Sequence, residues 1–127
     1  MKKPIMRPGV TQSLPYSHAV ETSGRLLYIS GQGPIGPDGT VIEGGLEAQV
    51  RLTLENLAAV AAAAGTDLSR AVKCNVFLHD VQRDFAAFNA IYRETFASAP
   101  PARTTVQATL PLPGMLVEIE AILALDA

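Results

Sequence analysis

Ala71-Val72-Lys73-Cys74-Asn75-Val76-Phe77-Leu78 is the stretch from which the fold is read. Val72, Cys74, Val76 and Leu78 fall on one side of a two-residue repeat, with Ala71, Lys73, Asn75 and Phe77 on the other, as in a strand with one apolar face. The flanking segments keep a different period. Upstream, Leu46, Val50, Leu54, Leu57 and Ala61 recur at i, i+4, i+8, i+11 and i+15, a helical stripe that begins near Leu46 and stops at Gly65. Downstream, Asp80 can cap a second helix with the stripe Phe85, Phe88, Tyr92 and Phe96, ended by Pro100-Pro101.

Further out, residues 17–23 and 26–30 read as two strands joined through Gly24-Arg25, with Leu27 and Ile29 alternating with Leu26, Tyr28 and Ser30. A Gly/Pro-rich loop follows from Gly31, with Pro37-Asp38-Gly39 as its clearest turn. Near the C-terminus lie two more strand-like runs, Pro101–Gln107 and Leu116–Glu120. The order is ββαβαββ, an α+β assembly with two helices on one face of a mixed sheet. The opposite face would carry Tyr28, Phe77, Leu116 and Ile122 among polar residues, which is too apolar to leave in water and predicts self-association through it.

A length of 127 residues predicts a single domain spanning 1–127. Hydrophobic content of 48% against 17% charged residues excludes a disordered tail protein. A net charge of −2 with scattered basic residues gives no nucleic-acid footprint. No apolar run approaches the roughly 20 residues that span a bilayer. Met1-Lys2-Lys3-Pro4-Ile5-Met6-Arg7-Pro8 lacks the apolar core of a signal peptide, and a single cysteine fits a reducing compartment, so the cytoplasm is expected.

Most candidate motifs have plain structural readings. Gly31-Gln32-Gly33-Pro34-Ile35-Gly36 matches G-x-G-x-x-G after a strand, but Pro34, Pro37 and Gly39 prevent the helix start that a dinucleotide fingerprint requires. Ser30 and the Gly31 N–H nevertheless sit at a strand end, where they can serve a ligand. Cys74 shares its face with aliphatic residues and reads as a small buried hydrophobe. The aromatic stripe reads as core, and Glu47, Arg51 and Glu55 as a solvated helix face. His18 and His79 have no metal-ligand or triad spacing, and serine hydrolase, P-loop and zinc signatures are absent.

Arg103 is different. It follows Pro-Pro-Ala at a strand start, and Thr105, Gln107 and Thr109 share its side of the pleat. Arginine and glutamate are among the residues least often buried without a partner. An ion pair between Arg103 and Glu118 or Glu120 is one reading. A simple hairpin of the last two strands would instead set Arg103 opposite residues 121–122 and leave Glu118 about 10 Å away, with room for a small anionic ligand between them.

Ile29-Ser30-Gly31-Gln32, Val72-Lys73-Cys74-Asn75-Val76-Phe77, Phe88-Asn89-Ala90-Ile91-Tyr92, Pro101-Ala102-Arg103 and Val117-Glu118-Ile119-Glu120-Ala121-Ile122 together resemble the RidA/YjgF family, many of whose members are labelled endoribonuclease L-PSP. The resemblance runs through essentially the whole chain in order and spacing. It implies a chorismate-mutase-like fold, a homotrimer with clefts between neighbouring subunits, and cofactor-free, metal-free hydrolysis of 2-aminoacrylate, 2-iminobutyrate and similar small imines and enamines. By position it implies that Arg103 holds the substrate carboxylate with help from the Gly31 N–H. Glu118 would handle the attacking water and its proton, while Tyr16, Ser30 and Asn89 occupy cleft positions.

Two departures stand out. Thr105 replaces a frequent cysteine whose role falls to its backbone carbonyl, and Leu110-Pro111-Leu112-Pro113-Gly114-Met115 differs from the usual Leu-Pro placement. A member acting on another enamine, such as a ring-cleavage or pyrimidine-degradation product, fits these departures. The competing classes are a ribonuclease, as the family label suggests, and a non-catalytic small-acid-binding or chaperone-like trimer.

Overall fold

The computed structural model describes residues 1–126. Its elements are β1 (Lys2–Ile5), β2 (Ala19–Thr22), β3 (Leu26–Gln32), α1 (Leu46–Ala63), a 3-10 turn (Leu68–Arg70), β4 (Ala71–Leu78), α2 (Val81–Thr95), β5 (Ala102–Gln107) and β6 (Val117–Ala124). One four-stranded sheet has the order β3-β6-β4-β5, and β1 pairs with β2 in a separate ribbon. The sheet is mixed because α2 carries the chain from β4 back to a parallel β5, whereas β6 runs antiparallel to both β3 and β4.

The helical stripes lie where periodicity put them. Val50, Leu54, Leu57 and Ala61 of α1 and Phe88 and Tyr92 of α2 join Cys74, Val76, Leu78, Val117, Ile119, Ala121 and Leu123 in one buried cluster. Gly65, at φ +80°, ends α1 in a conformation that suits glycine. Asp80 caps α2 by accepting from the Arg83 N–H at 3.1 Å. The Gly31–Gly36 loop opens no helix: Ile35 bridges Val41 and α1 starts only at Leu46.

Two expectations change, and one strand is new. Lys2–Ile5 forms a strand that pairs with β2, so β2 does not pair with β3. Gly24-Arg25 is instead tied to the C-terminus, Asp126 accepting from the Arg25 N–H at 3.0 Å and from its Nε at 3.1 Å. Ala71 is fully buried rather than on the open face, since the β4–β6 register shifts between Ala71 and Lys73. Finally, β5 and β6 form no hairpin, because β4 lies between them.

Two amides on α1 fix the loops above the sheet. Gln49, 3% exposed, donates to the Gly114 carbonyl and accepts from the Leu116 N–H, both at 2.8 Å. Asn56 donates to the carbonyls of Gly33 and Ile35 at 2.9 and 3.0 Å. The open face carries Tyr28, 71% exposed, and Val106, 43% exposed, with half-buried Phe77, Leu116 and Ile122. No helix among the described residues is long and apolar enough to cross a membrane.

Candidate functional site

Arg103 enters the fold at the start of β5, level with Cys74 on β4. Cys74 is fully buried on the helix side of the sheet, so Arg103 also points beneath α2 and is only 9% exposed. There its Nη2 donates to Asn89 Oδ1 of α2 at 2.7 Å. Ser17 pairs beside Ala102, its N–H donating to the Pro101 carbonyl, which brings the preceding Tyr16 to the arginine. The guanidinium carbon lies 5.3 Å from the Tyr16 ring centre, 5.8 Å from Phe85, 5.5 Å from Phe88 and 4.8 Å from Tyr92.

No carboxylate neutralises this cation: Arg103 forms no ion pair among the described residues, with Glu118, Glu120 or any other acid. Its Nη1 is buried without a hydrogen-bond partner, as is Thr105 Oγ1 two residues on. Burial lowers the Arg103 pKa, partly offset by the hydroxyls of Tyr92 and Tyr16, yet an arginine stays charged in such settings. A buried donor left unmade costs about 1–3 kcal/mol, so the arrangement favours an incoming anion over an empty site. Cys74 lies beneath it with a thiol pushed by burial up to about 11, which makes it a packing residue rather than a nucleophile.

Glu118 belongs to a second cluster. It faces Phe77 across the β4–β6 ladder and, with Glu120 beside Asn75, lies on the open side of the sheet. Between Ile29↔Ala121 and Gln32↔Ile119 the β3–β6 register slips, so Ser30 and Gly31 together oppose Glu120 in a bulge. The Glu118 carboxylate packs on Gly31, where an added Cβ would stand 2.6 Å from Oε2. Desolvation raises the Glu118 pKa, and the Glu120 charge raises it further.

The candidate residues therefore fall into two groups. Tyr16 and Asn89 meet Arg103 under α2, with Thr105 two residues along the same strand face, whereas Gly31 meets Glu118 on the open face with Ser30 beside it in the bulge. Cys74 flanks both Arg103 and Ala121, so Glu118 stands two strands and three residues from the arginine, about 14 Å along the sheet and on its opposite face. The ligand gap expected from a hairpin does not exist within one chain. Sequence reading also missed Phe85, Phe88 and Tyr92 as neighbours of Arg103. Their spacing around Asn89 was the available signal, but it is equally the spacing of a core stripe.

Comparison with known proteins agrees with this frame. Residues 8–125 match the family model described as endoribonuclease L-PSP. The mitochondrial protein mmf2 of Schizosaccharomyces pombe is 44% identical over 126 residues, covering 97% of this chain and 98% of that protein. Among solved structures, YyfB from Yersinia pestis, described as a protein of unknown function of the conserved Rid protein family, superposes with a TM-score of 0.85 at 34% identity, covering 98% of each chain. E. coli TdcF, solved with bound serine, superposes at 0.72 with 33% identity, covering 98% of this chain and all of that one. With the family model covering nearly its whole length, the chain belongs to the RidA/YjgF family, whose model carries the description endoribonuclease L-PSP.

Proposed function

We propose that the protein is a cofactor-independent hydrolytic deaminase of small 2-imino and enamino acids, of the 2-aminoacrylate and 2-iminobutyrate type. The observation that carries this reading is Arg103, a buried guanidinium whose Nη1 has no hydrogen-bond partner and which has no acidic partner among the described residues. Such a group suits a planar carboxylate. A small amino acid bound in TdcF, a 33% identical neighbour, supports a small ligand bearing a carboxylate.

The chemistry follows from the substrate. An imine carbon is already electrophilic, so orientation and proton transfer suffice for hydrolysis. Glu118, as carboxylate, takes a proton from water while the water oxygen bonds to the imine carbon. It returns that proton to nitrogen to give the carbinolamine, then relays the hydroxyl proton of that intermediate to the amine, so that the carbonyl forms as the carbon–nitrogen bond breaks and ammonia leaves a 2-keto acid. An enamine reaches the same path after protonation at its β-carbon. A raised pKa suits Glu118 to both halves of this shuttle.

Because Arg103 and Glu118 face opposite sides of one sheet, the complete site is assembled between two copies, Arg103 of one facing Glu118 of the next. The homotrimer implied by the family, and the apolar open face around Tyr28, support this arrangement. A cytoplasmic location is part of the proposal, the lone buried Cys74 fitting a reducing compartment.

The test pairs purified protein with a threonine or serine dehydratase and follows keto-acid release. Acceleration that disappears in Arg103→Ala is expected, and no acceleration, or full activity in that variant, refutes the proposal. The family description favours a ribonuclease as the second reading, against which stands the net charge of −2. RNA cleavage that survives further purification and Arg103→Ala would move the balance to it.

A further inference from the structure

A buried arginine in this fold would ordinarily be balanced by an acid, and α2 has acids available. Asp84 is 5% exposed, but it is taken by Arg83 at 2.8 Å, and Glu94 by Arg51 at 3.1 Å. What α2 turns toward Arg103 is Phe85, Phe88, Asn89 and Tyr92, at i, i+3, i+4 and i+7. Three rings from one helix and Tyr16 from the segment before β2 place four ring centres within 5.8 Å of the guanidinium carbon. Among the described residues the one side-chain hydrogen bond of Arg103 goes to the neutral Asn89 amide.

We infer that Phe85, Phe88 and Tyr92 are positioning residues that hold Arg103 by its charge. The ring faces attract the cation without neutralising it, so its full charge and its free Nη1 remain for the ligand. An acid in the same place would anchor the side chain equally well and cancel the charge that captures a carboxylate. The rings also exclude water, which strengthens the attraction between guanidinium and carboxylate. In this protein the aromatic stripe of α2 is both core and binding device. The inference deepens the deaminase reading and rests on it for the identity of the ligand.

Phe85 is the residue to test, being half-buried where Phe88 and Tyr92 are fully enclosed. Phe85→Leu removes the ring and keeps an apolar side chain, whereas Phe85→Trp offers the aromatic face that cations prefer. With 2-oxobutanoate as probe, Phe85→Leu is expected to raise the Kd, and KM for the imine, about fivefold, the equivalent of about 1 kcal/mol. The turnover number should stay within about twofold, since carboxylate capture is shared by ground and transition states. Phe85→Trp should bind as wild type does.

A stability cycle separates the cage from the activity. Phe85→Leu should lower Tm in the wild-type background and leave it nearly unchanged in Arg103→Met, because the ring then has no cation to hold. Equal Tm losses in both backgrounds, or equal Kd values for Phe85→Leu and Phe85→Trp, overturn the inference. If wild type neither binds 2-oxobutanoate nor turns over imine, the deaminase reading falls while the cycle still decides the cage.

Discussion

Gly31→Ala separates fold from chemistry with a single methyl group. A Cβ at this position would stand 2.6 Å from Oε2 of Glu118, 2.8 Å from its Cδ and 3.1 Å from its Cγ, whereas ordinary contact begins near 3.4 Å. The carboxylate must therefore retreat by about 0.8 Å or more. Gly31 does not occupy the left-handed region, so alanine meets no backbone penalty and the N–H stays where it is. The atoms that must move are the far end of a flexible, partly exposed side chain, so stability should change by no more than about 0.5 kcal/mol. Catalysis should not be so tolerant: displacing a reacting group by about 1 Å can cost about a hundredfold.

The expected result is a kcat for imine hydrolysis near one-hundredth of wild type, with an unchanged Tm and a modest change in KM. Combining the substitution with Glu118→Gln should do little more than Glu118→Gln alone, since both act through one carboxylate. A Gly31→Ala protein with kcat within threefold of wild type would refute the role given to Glu118. Loss of activity accompanied by loss of fold would refute the claim that Gly31 is there to make room for it.

Four further outcomes are expected. Glu118 must be ionised to accept a proton from water, so kcat should rise with pH through an apparent pKa above the ordinary carboxylate value of 4.5, and Glu120→Gln should move that limb to lower pH. The same raised pKa means the folded chain keeps this proton where the unfolded chain has lost it, so stability should fall as pH rises across that window while activity climbs. Gln49→Leu, which strands the Gly114 carbonyl and the Leu116 N–H together, should lower unfolding free energy in urea by about 2–4 kcal/mol. Tyr28→Glu places a charge at the most exposed apolar position of the open face, and light scattering should report a shift from oligomer to monomer with loss of activity. A monomeric variant that remains active would refute the shared site.

The elements that sequence reading placed well are those whose signal is local. Periodicity fixed Leu46 as the start of α1 and 71–78 as β4, while Asp80 capped the start of α2 and Gly65 the end of α1. What it missed depends on contacts far along the chain. Lys2–Ile5 contains a proline and two lysines and has no strand pattern of its own; it becomes a strand because β2 offers it a ladder. Gln49 looks like any polar helix residue until the loop from Leu110 to Leu116 folds back to its amide. The parallel step from β4 to β5 could not be read from either strand, since both directions satisfy the same alternation.

That step decides where the site lies. With β4 between β5 and β6, Arg103 shares a level with Cys74 and Ala121, and all three point beneath the helices. Glu118 and Glu120 differ from Ala121 by odd numbers of residues, so neither can reach the arginine's side of the sheet by any change of rotamer. An intrachain ion pair between them is excluded by parity alone. Two chemically complementary groups on opposite faces of one sheet are of no use to each other within a single chain. The proposed assembly makes them useful by laying the open face of a second copy against the β5 edge of the first. On the proposed reading, the exposed apolar surface around Tyr28, the buried Nη1 of Arg103 without a partner among the described residues and the bulge that seats Glu118 on Gly31 are three parts of one requirement, a site completed by a second copy.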